Sequence, residues 1–114
     1  MIRLLVLYLQ PEDPEAFDRY YESIHIPLAK RMQGLTHWTI GKVTEVLGDA
    51  HPQFYFVADL YAESREQLDE IIASPEGQAA VADVPNYATG GVFFLYTQVE
   101  TILGSSAESV GEIA

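Results

Sequence analysis

The sequence predicts an α+β fold, a four-stranded antiparallel sheet with two helices on one face. Three observations carry this. Strand-like runs and helix-period runs follow one another in the order β-α-β-β-α-β. Helix start signals stand at Asp13 and Ser64. Pro and Gly mark the junctions between elements.

Ile2 to Leu9 is Leu, Val and Ile with one Arg, which reads as a first strand, and Gln10-Pro11-Glu12-Asp13 stops it. Asp13 is placed to cap a helix, with Pro14 at its first position and Glu15 beside the positive dipole end. Phe17, Tyr20, Tyr21, Ile24, Leu28 and Met32 then recur at helical spacing, so one amphipathic helix is expected from Pro14 to Met32. Pro27 removes a backbone bond inside it, which predicts a kink near His25 and Ile26. Gly34 ends it.

A β-branched run from Leu35 to Val46 predicts the second strand, and Leu47 to Pro52 a turn that leaves His51 in solvent. Phe54 to Tyr61 is the third strand. Ser64 with Gln67 forms a capping box for a second helix, whose buried face is Leu68, Ile71 and Ile72. Ser74-Pro75-Glu76 looks like a fresh start, so this helix is expected to break and resume to Asp83. Pro85 and Gly90-Gly91 lead into the fourth strand, Val92 to Val99. Right-handed crossovers put both helices on the same sheet face, the ferredoxin-like arrangement.

With 114 residues, 48% of them apolar, the chain is one domain's worth: residues 1–103, with a polar tail over 104–114. Lys and Arg number 6 against 17 Asp and Glu, a net charge of −11. So acidic a surface repels phosphate, which argues against nucleic acid and anionic membranes as partners. Cysteine is absent, which excludes disulfides, thiolate metal sites and Cys nucleophiles. No apolar run is long enough to span a bilayer. The N-terminus begins like a signal peptide but lacks a small-residue cleavage site, and a cytoplasmic location is expected.

The strands do not alternate apolar with polar, as a sheet with one wet face should. Ile2, Leu4, Val6 and Tyr8 share one face, with Leu5, Leu7 and Leu9 on the other. Val92, Phe94 and Tyr96 oppose Phe93, Leu95 and Val99. Phe54, Phe56, Ala58 and Leu60 oppose Tyr55, Val57 and Tyr61. The helices cover one face only. The bare face would leave about 500–800 Å² of apolar surface in water, more than monomers usually show. A second copy through the same face, an isologous homodimer, is the expected cover.

Three histidines are the groups that titrate near neutral pH. His25 lies four residues after Tyr21 and eight after Phe17, on or beside the core face, where the Pro27 kink can open a gap. It is a candidate proton carrier or, alternatively, a buried neutral residue bonded to a tyrosine or a carbonyl. His37 either reaches the same cavity or caps an edge strand. Tyr8, Tyr20 or Tyr21, Trp38, Phe54, Phe56 and Tyr96 are candidate aromatic walls for a small apolar ligand, or plain core. Asp83 is read as the end of the second helix, with a polar partner for the cavity as the other reading. No metal-ligand spacing, Gly-rich phosphate loop or nucleophile elbow is present, so no metal or cofactor is expected.

The run from Phe17 to Lys30, Phe-Asp-Arg-Tyr-Tyr-Glu-Ser-Ile-His-Ile-Pro-Leu-Ala-Lys, followed by Gly34-Leu35, resembles the EthD family. So do Ser74-Pro75-Glu76-Gly77-Gln78 and Asp83-Val84-Pro85-Asn86-Tyr87. The resemblance reaches to about Val99 and departs at Gln33, where the family pattern has Pro. It implies a dimeric α/β barrel. Founding members are encoded beside genes for ethyl tert-butyl ether degradation. Relatives on the fold include muconolactone isomerases, cofactor-free monooxygenases and fungal dehydratases. The helix histidine of the family falls on His25, with Tyr21 as its neighbour. The expected function is chemistry on a small, mostly apolar organic molecule by a His acid/base, as a cofactor-free oxidoreductase, isomerase or dehydratase. The alternative is a non-catalytic binding or accessory homodimer.

Overall fold

In a computed structural model that describes residues 1–48 and 52–104, the strands assemble into one antiparallel sheet in the order β2-β3-β1-β4. These are β1 (Ile2–Leu9), β2 (His37–Lys42), β3 (Phe54–Ala62) and β4 (Val92–Gln98). The expected topology is thus the observed one, ferredoxin-like with all helices on one face. His51 and the tail beyond 104 lie outside the described residues.

β1 is central because both its faces are apolar. Ile2, Leu4, Val6 and Tyr8 are buried under the helices, and Arg3, Leu5, Leu7 and Leu9 are half-buried on the far face. Phe56, Ala58, Leu60 and Ala62 of β3 are buried on the helix side as well. The Tyr8/Leu9 step carries a bulge: Tyr8 pairs with Phe56 but Leu9 pairs with Phe54. Tyr55 is the extra residue, and a bulge re-aims a side chain. Tyr55 therefore packs on Phe17 at 5.2 Å between ring centres. Phe54 turns to the far face and meets Phe93 at 6.3 Å. Simple alternation assigned these two residues the other way round.

The far face is apolar only in part. Leu5 opposite Leu95, Leu7 opposite Phe93 and Val57, and Leu9 opposite Phe54 make a greasy strip. Beyond it Arg3 meets Asp59 at 3.6 Å and donates from Nε to Thr97 at 3.0 Å.

The first helical segment is three pieces in continuous register: α1 (Pro14–Tyr20), a π-helical turn (Tyr21–His25) and α2 (Ile26–Ala29). Asp13 caps α1 by accepting from the Ala16 N–H at 3.2 Å. The π turn is defined by the Ile26 N–H, which donates to Tyr21 O, five residues back. Regular helix ends at Ala29, three residues short of the expected Met32. There Arg31 and Met32 donate to carbonyls three back, tightening the chain before Gly34.

α3 (Arg65–Ala73) and α4 (Pro75–Asp83) break at Ser74 as expected. Ser74 closes α3 through its N–H and caps α4 by accepting from Gly77 at 3.0 Å. Gly77 is required at this corner: a Cβ there would lie 2.1 Å from Ile71 O and 2.6 Å from Ile72 O. Leu68, fully buried, and Ile71 anchor α3 to the sheet. A 3₁₀ turn (Val84–Asn86) follows α4 and delivers Tyr87 into the core.

Candidate active site

Phe17, Tyr21, His25 and Ala29 recur every fourth residue and all are buried. Steps of four overshoot an α-helical turn by about 40° each, so a straight α-helix would carry the last of them off the core face. The wider π turn takes that drift back. Pro27 lacks the N–H that a regular ladder would use at this point. The segment therefore holds four inward residues in one row, with His25 third in it.

His25 Nδ1 lies 3.0 Å from Asp83 Oδ2, where α4 ends, and both residues are buried. Asp83 Oδ1 accepts from the Tyr20 hydroxyl at 2.5 Å and from Asn86 Nδ2 at 3.0 Å. Burial pushes the His25 pKa below its usual value, and the attraction of Asp83 only partly offsets this. Burial also acts to raise Asp83, but hydrogen bonds from Tyr20, Asn86 and His25 outweigh it and hold the carboxyl below its usual range. The pair is therefore a neutral imidazole beside a carboxylate. Nδ1 carries the hydrogen that Asp83 accepts, which leaves the Nε2 lone pair free to take a proton.

Tyrosines surround the pair. Tyr21 and Tyr87 lie 5.1 and 4.8 Å from the His25 ring centre. The Tyr8 and Tyr87 hydroxyls share a buried hydrogen bond of 2.6 Å. Burial lifts Tyr8 to about 12 against the pull of Tyr87, and lifts Tyr21 and Tyr87 further. All three stay protonated at neutral pH.

His25 faces a cavity of about 50 Å³ between helices and sheet. Tyr8, Tyr21, Trp38 and Phe94 share its wall with aliphatic side chains from β1, β3, α3 and α4. Of the expected wall residues, Tyr8, Tyr21 and Trp38 line it. Tyr20 stands outside and grips Asp83. Phe56 packs behind, 4.7 Å from Tyr21. Three further expectations are corrected. His37 is exposed on the far face against Tyr61, because β2 alternates and Trp38 takes the inward position. Phe54 is on the far face because of the bulge. Tyr96 is at the sheet edge under the Arg65 guanidinium, 3.9 Å from its ring centre, and outside the wall.

The sequence reading favours the helix end for Asp83 over a polar partner of the cavity, names Asn86 and Tyr87 only within a motif, and names Phe94 only within the fourth strand. Asp83 is both the end of α4 and the partner of His25, so its two readings were never exclusive. Among the described residues no group of three or more His, Asp or Glu side chains is placed to hold a metal ion.

The family model for the EthD domain matches residues 9–91, which contain His25, Asp83 and most of the cavity wall. The chain belongs to the EthD family. This EthD-family chain is 43% identical over 103 residues to an uncharacterized 11.0 kDa protein of the thcB–thcC intergenic region of Rhodococcus erythropolis, covering 90% of this chain and 99% of that one. It is similar to the crystal structure of an EthD-family protein from Bacillus halodurans C-125, with TM-score 0.82 and 27% identity over 88% of this chain and 99% of the other. A hydroxynitrile lyase from Passiflora edulis has the same fold, with TM-score 0.71 and 11% identity over 90% and 96% of the two chains. No helix among the described residues is long and apolar enough to cross a membrane.

Proposed function

We propose that this EthD-family protein is an acid–base enzyme acting on a small, mostly apolar organic molecule in its cavity, with His25 as the proton carrier. The observation that carries the reading is the 3.0 Å bond from His25 Nδ1 to Asp83 in a wall that is otherwise aromatic and aliphatic. His25 Nε2 takes a proton from the ligand. The imidazolium so formed is stabilised by the Asp83 carboxylate, which also fixes the tautomer. Tyr8 and Tyr21, both protonated, complete the wall beside the histidine. Oxidoreductase, isomerase and dehydratase chemistry can each begin with such a proton transfer.

The functional unit in this reading is a homodimer, two sheets joined through the Leu5–Leu7–Leu95–Phe93 strip, with the helices outside. Phe93 and Leu95 are 49% and 43% exposed in the single chain, which is costly for residues of that size.

The test is deuterium exchange at the carbon next to the carbonyl of cyclohexanone in D₂O, followed by NMR. Wild-type protein is expected to exceed His25→Gln by about 10²–10⁴, the range of acid–base help. Equal rates with the ketone bound would end the acid–base reading and leave a carrier of small molecules.

A further inference from the structure

Trp38 is the only tryptophan in the chain. It is an inward residue of β2, opposite Leu60, and it contributes to the wall that holds His25. Its indole N–H is buried and meets no acceptor. Among the described residues it is the only buried side-chain nitrogen or oxygen left without a partner. Buried donors are nearly always paired, and an exception calls for a cause.

The rest of the wall says what kind of group would pair it. The Tyr8 hydroxyl is engaged by Tyr87 and Tyr21, and His25 Nδ1 by Asp83. No Lys, Arg, Asp or Glu lines the cavity. An anionic ligand would find no cation there, and it would approach the Asp83 carboxylate on a chain of net charge −11. A pure hydrocarbon would fill the space and leave the indole N–H unmet.

We propose that the Trp38 indole N–H is the recognition donor of the cavity and that the ligand is a neutral, mostly apolar molecule carrying an accepting oxygen. This rests on the reading of the cavity as a small-molecule site and adds the ligand's chemical class. The oxygen is held at Trp38 while a proton of the same molecule faces His25 Nε2. At about 50 Å³ the closed cavity is smaller than such a molecule, so the ligand enters by displacing half-exposed Val81 and Phe94, both in the wall.

A single tryptophan gives a single indole N–H resonance, so the donor can be watched directly in protein labelled with ¹⁵N-tryptophan. The probes are cyclohexanone and methylenecyclohexane, which share a shape and differ in the accepting oxygen. The ketone is expected to move the resonance downfield and the hydrocarbon to leave it nearly in place. Trp38→Phe keeps the aromatic wall and removes the donor. It is expected to weaken ketone binding about five- to tenfold, the worth of one hydrogen bond, with hydrocarbon binding unchanged. An indole resonance that stays put up to the ketone's solubility limit overturns the inference, as does equal weakening of both probes by Trp38→Phe. The two readings fail separately. Absent proton exchange with a shifted indole strikes only the acid–base role of His25. Exchange with an unmoved indole strikes only the role of Trp38.

Discussion

His25 and Asp83 meet at 3.0 Å although 58 residues separate them. The contact ties the first helical segment to the end of α4. It also sets the chemistry of the imidazole, because Asp83 is what opposes burial in setting its proton affinity.

Replacing Asp83 by Asn keeps an acceptor for Nδ1 and removes the charge. The His25 pKa, already below its usual value, is expected to fall further in Asp83→Asn. An NMR titration of the imidazole reads this directly. A pKa that rises in the variant would mean that the carboxylate is not the group favouring protonation.

Acid should destabilise the fold through this pair. The folded-state pKa of His25 lies below its unfolded value of 6.5. The unfolded chain therefore binds more protons as pH falls below 6.5, and the stability held above that value is lost toward the folded pKa. Asp83, lowered from 3.8, adds a second loss below that pH. Thermal midpoints between pH 8 and pH 5 are expected to drop in the wild type and to change less in His25→Gln. Parallel curves for the two proteins would contradict the assignment.

How far the residues announced this arrangement depends on the range of the interactions. Order, period and caps are local, so the β-α-β-β-α-β topology, the Asp13 and Ser64 caps and the break at Ser74 could all be read from neighbours in sequence. The inward placement of His25 followed from its spacing to Phe17 and Tyr21. Its partner did not, because nothing near Asp83 signals a histidine 58 positions away. The run Asp83-Val84-Pro85-Asn86-Tyr87 was the one available cue: a carboxylate, an amide and a tyrosine around a turn that ends an apolar helix. The exchange of Phe54 and Tyr55 was hidden for a different reason. A bulge inserts one residue without leaving a compositional mark, and every alternation argument upstream of it then inverts.

The buried hydroxyl pair of Tyr8 and Tyr87 invites a double-mutant cycle. Tyr8→Phe leaves the Tyr87 hydroxyl without its partner, and the loss in unfolding free energy is expected to be about 1–3 kcal/mol. Tyr87→Phe should cost a similar amount. The double variant should cost clearly less than the sum, since the loss of the shared bond is counted in each single variant. Strict additivity in urea unfolding would show that the two hydroxyls do not depend on each other.

Association can be tested apart from chemistry. Sedimentation at micromolar concentration is expected to show a dimer. Leu95→Lys places an ammonium in the apolar strip and should weaken the dimer about a hundredfold or more. Leu95 is half-exposed in the single chain, so the substitution should leave the protomer folded. A monomeric wild type would exclude the sheet-to-sheet assembly.

The π turn gives residue count a meaning of its own. Delete one position between Tyr21 and His25 and an ordinary helix results, in which seven steps of about 100° lead from Phe17 to the histidine and bring the two within about 20° of one face. Phe17 then keeps its place under Tyr8 and the histidine keeps its place at Asp83, because the π turn had only absorbed the additional residue. A homologous sequence with a one-residue gap at this point and an aligned histidine carries the same inward row on an unbroken α-helix.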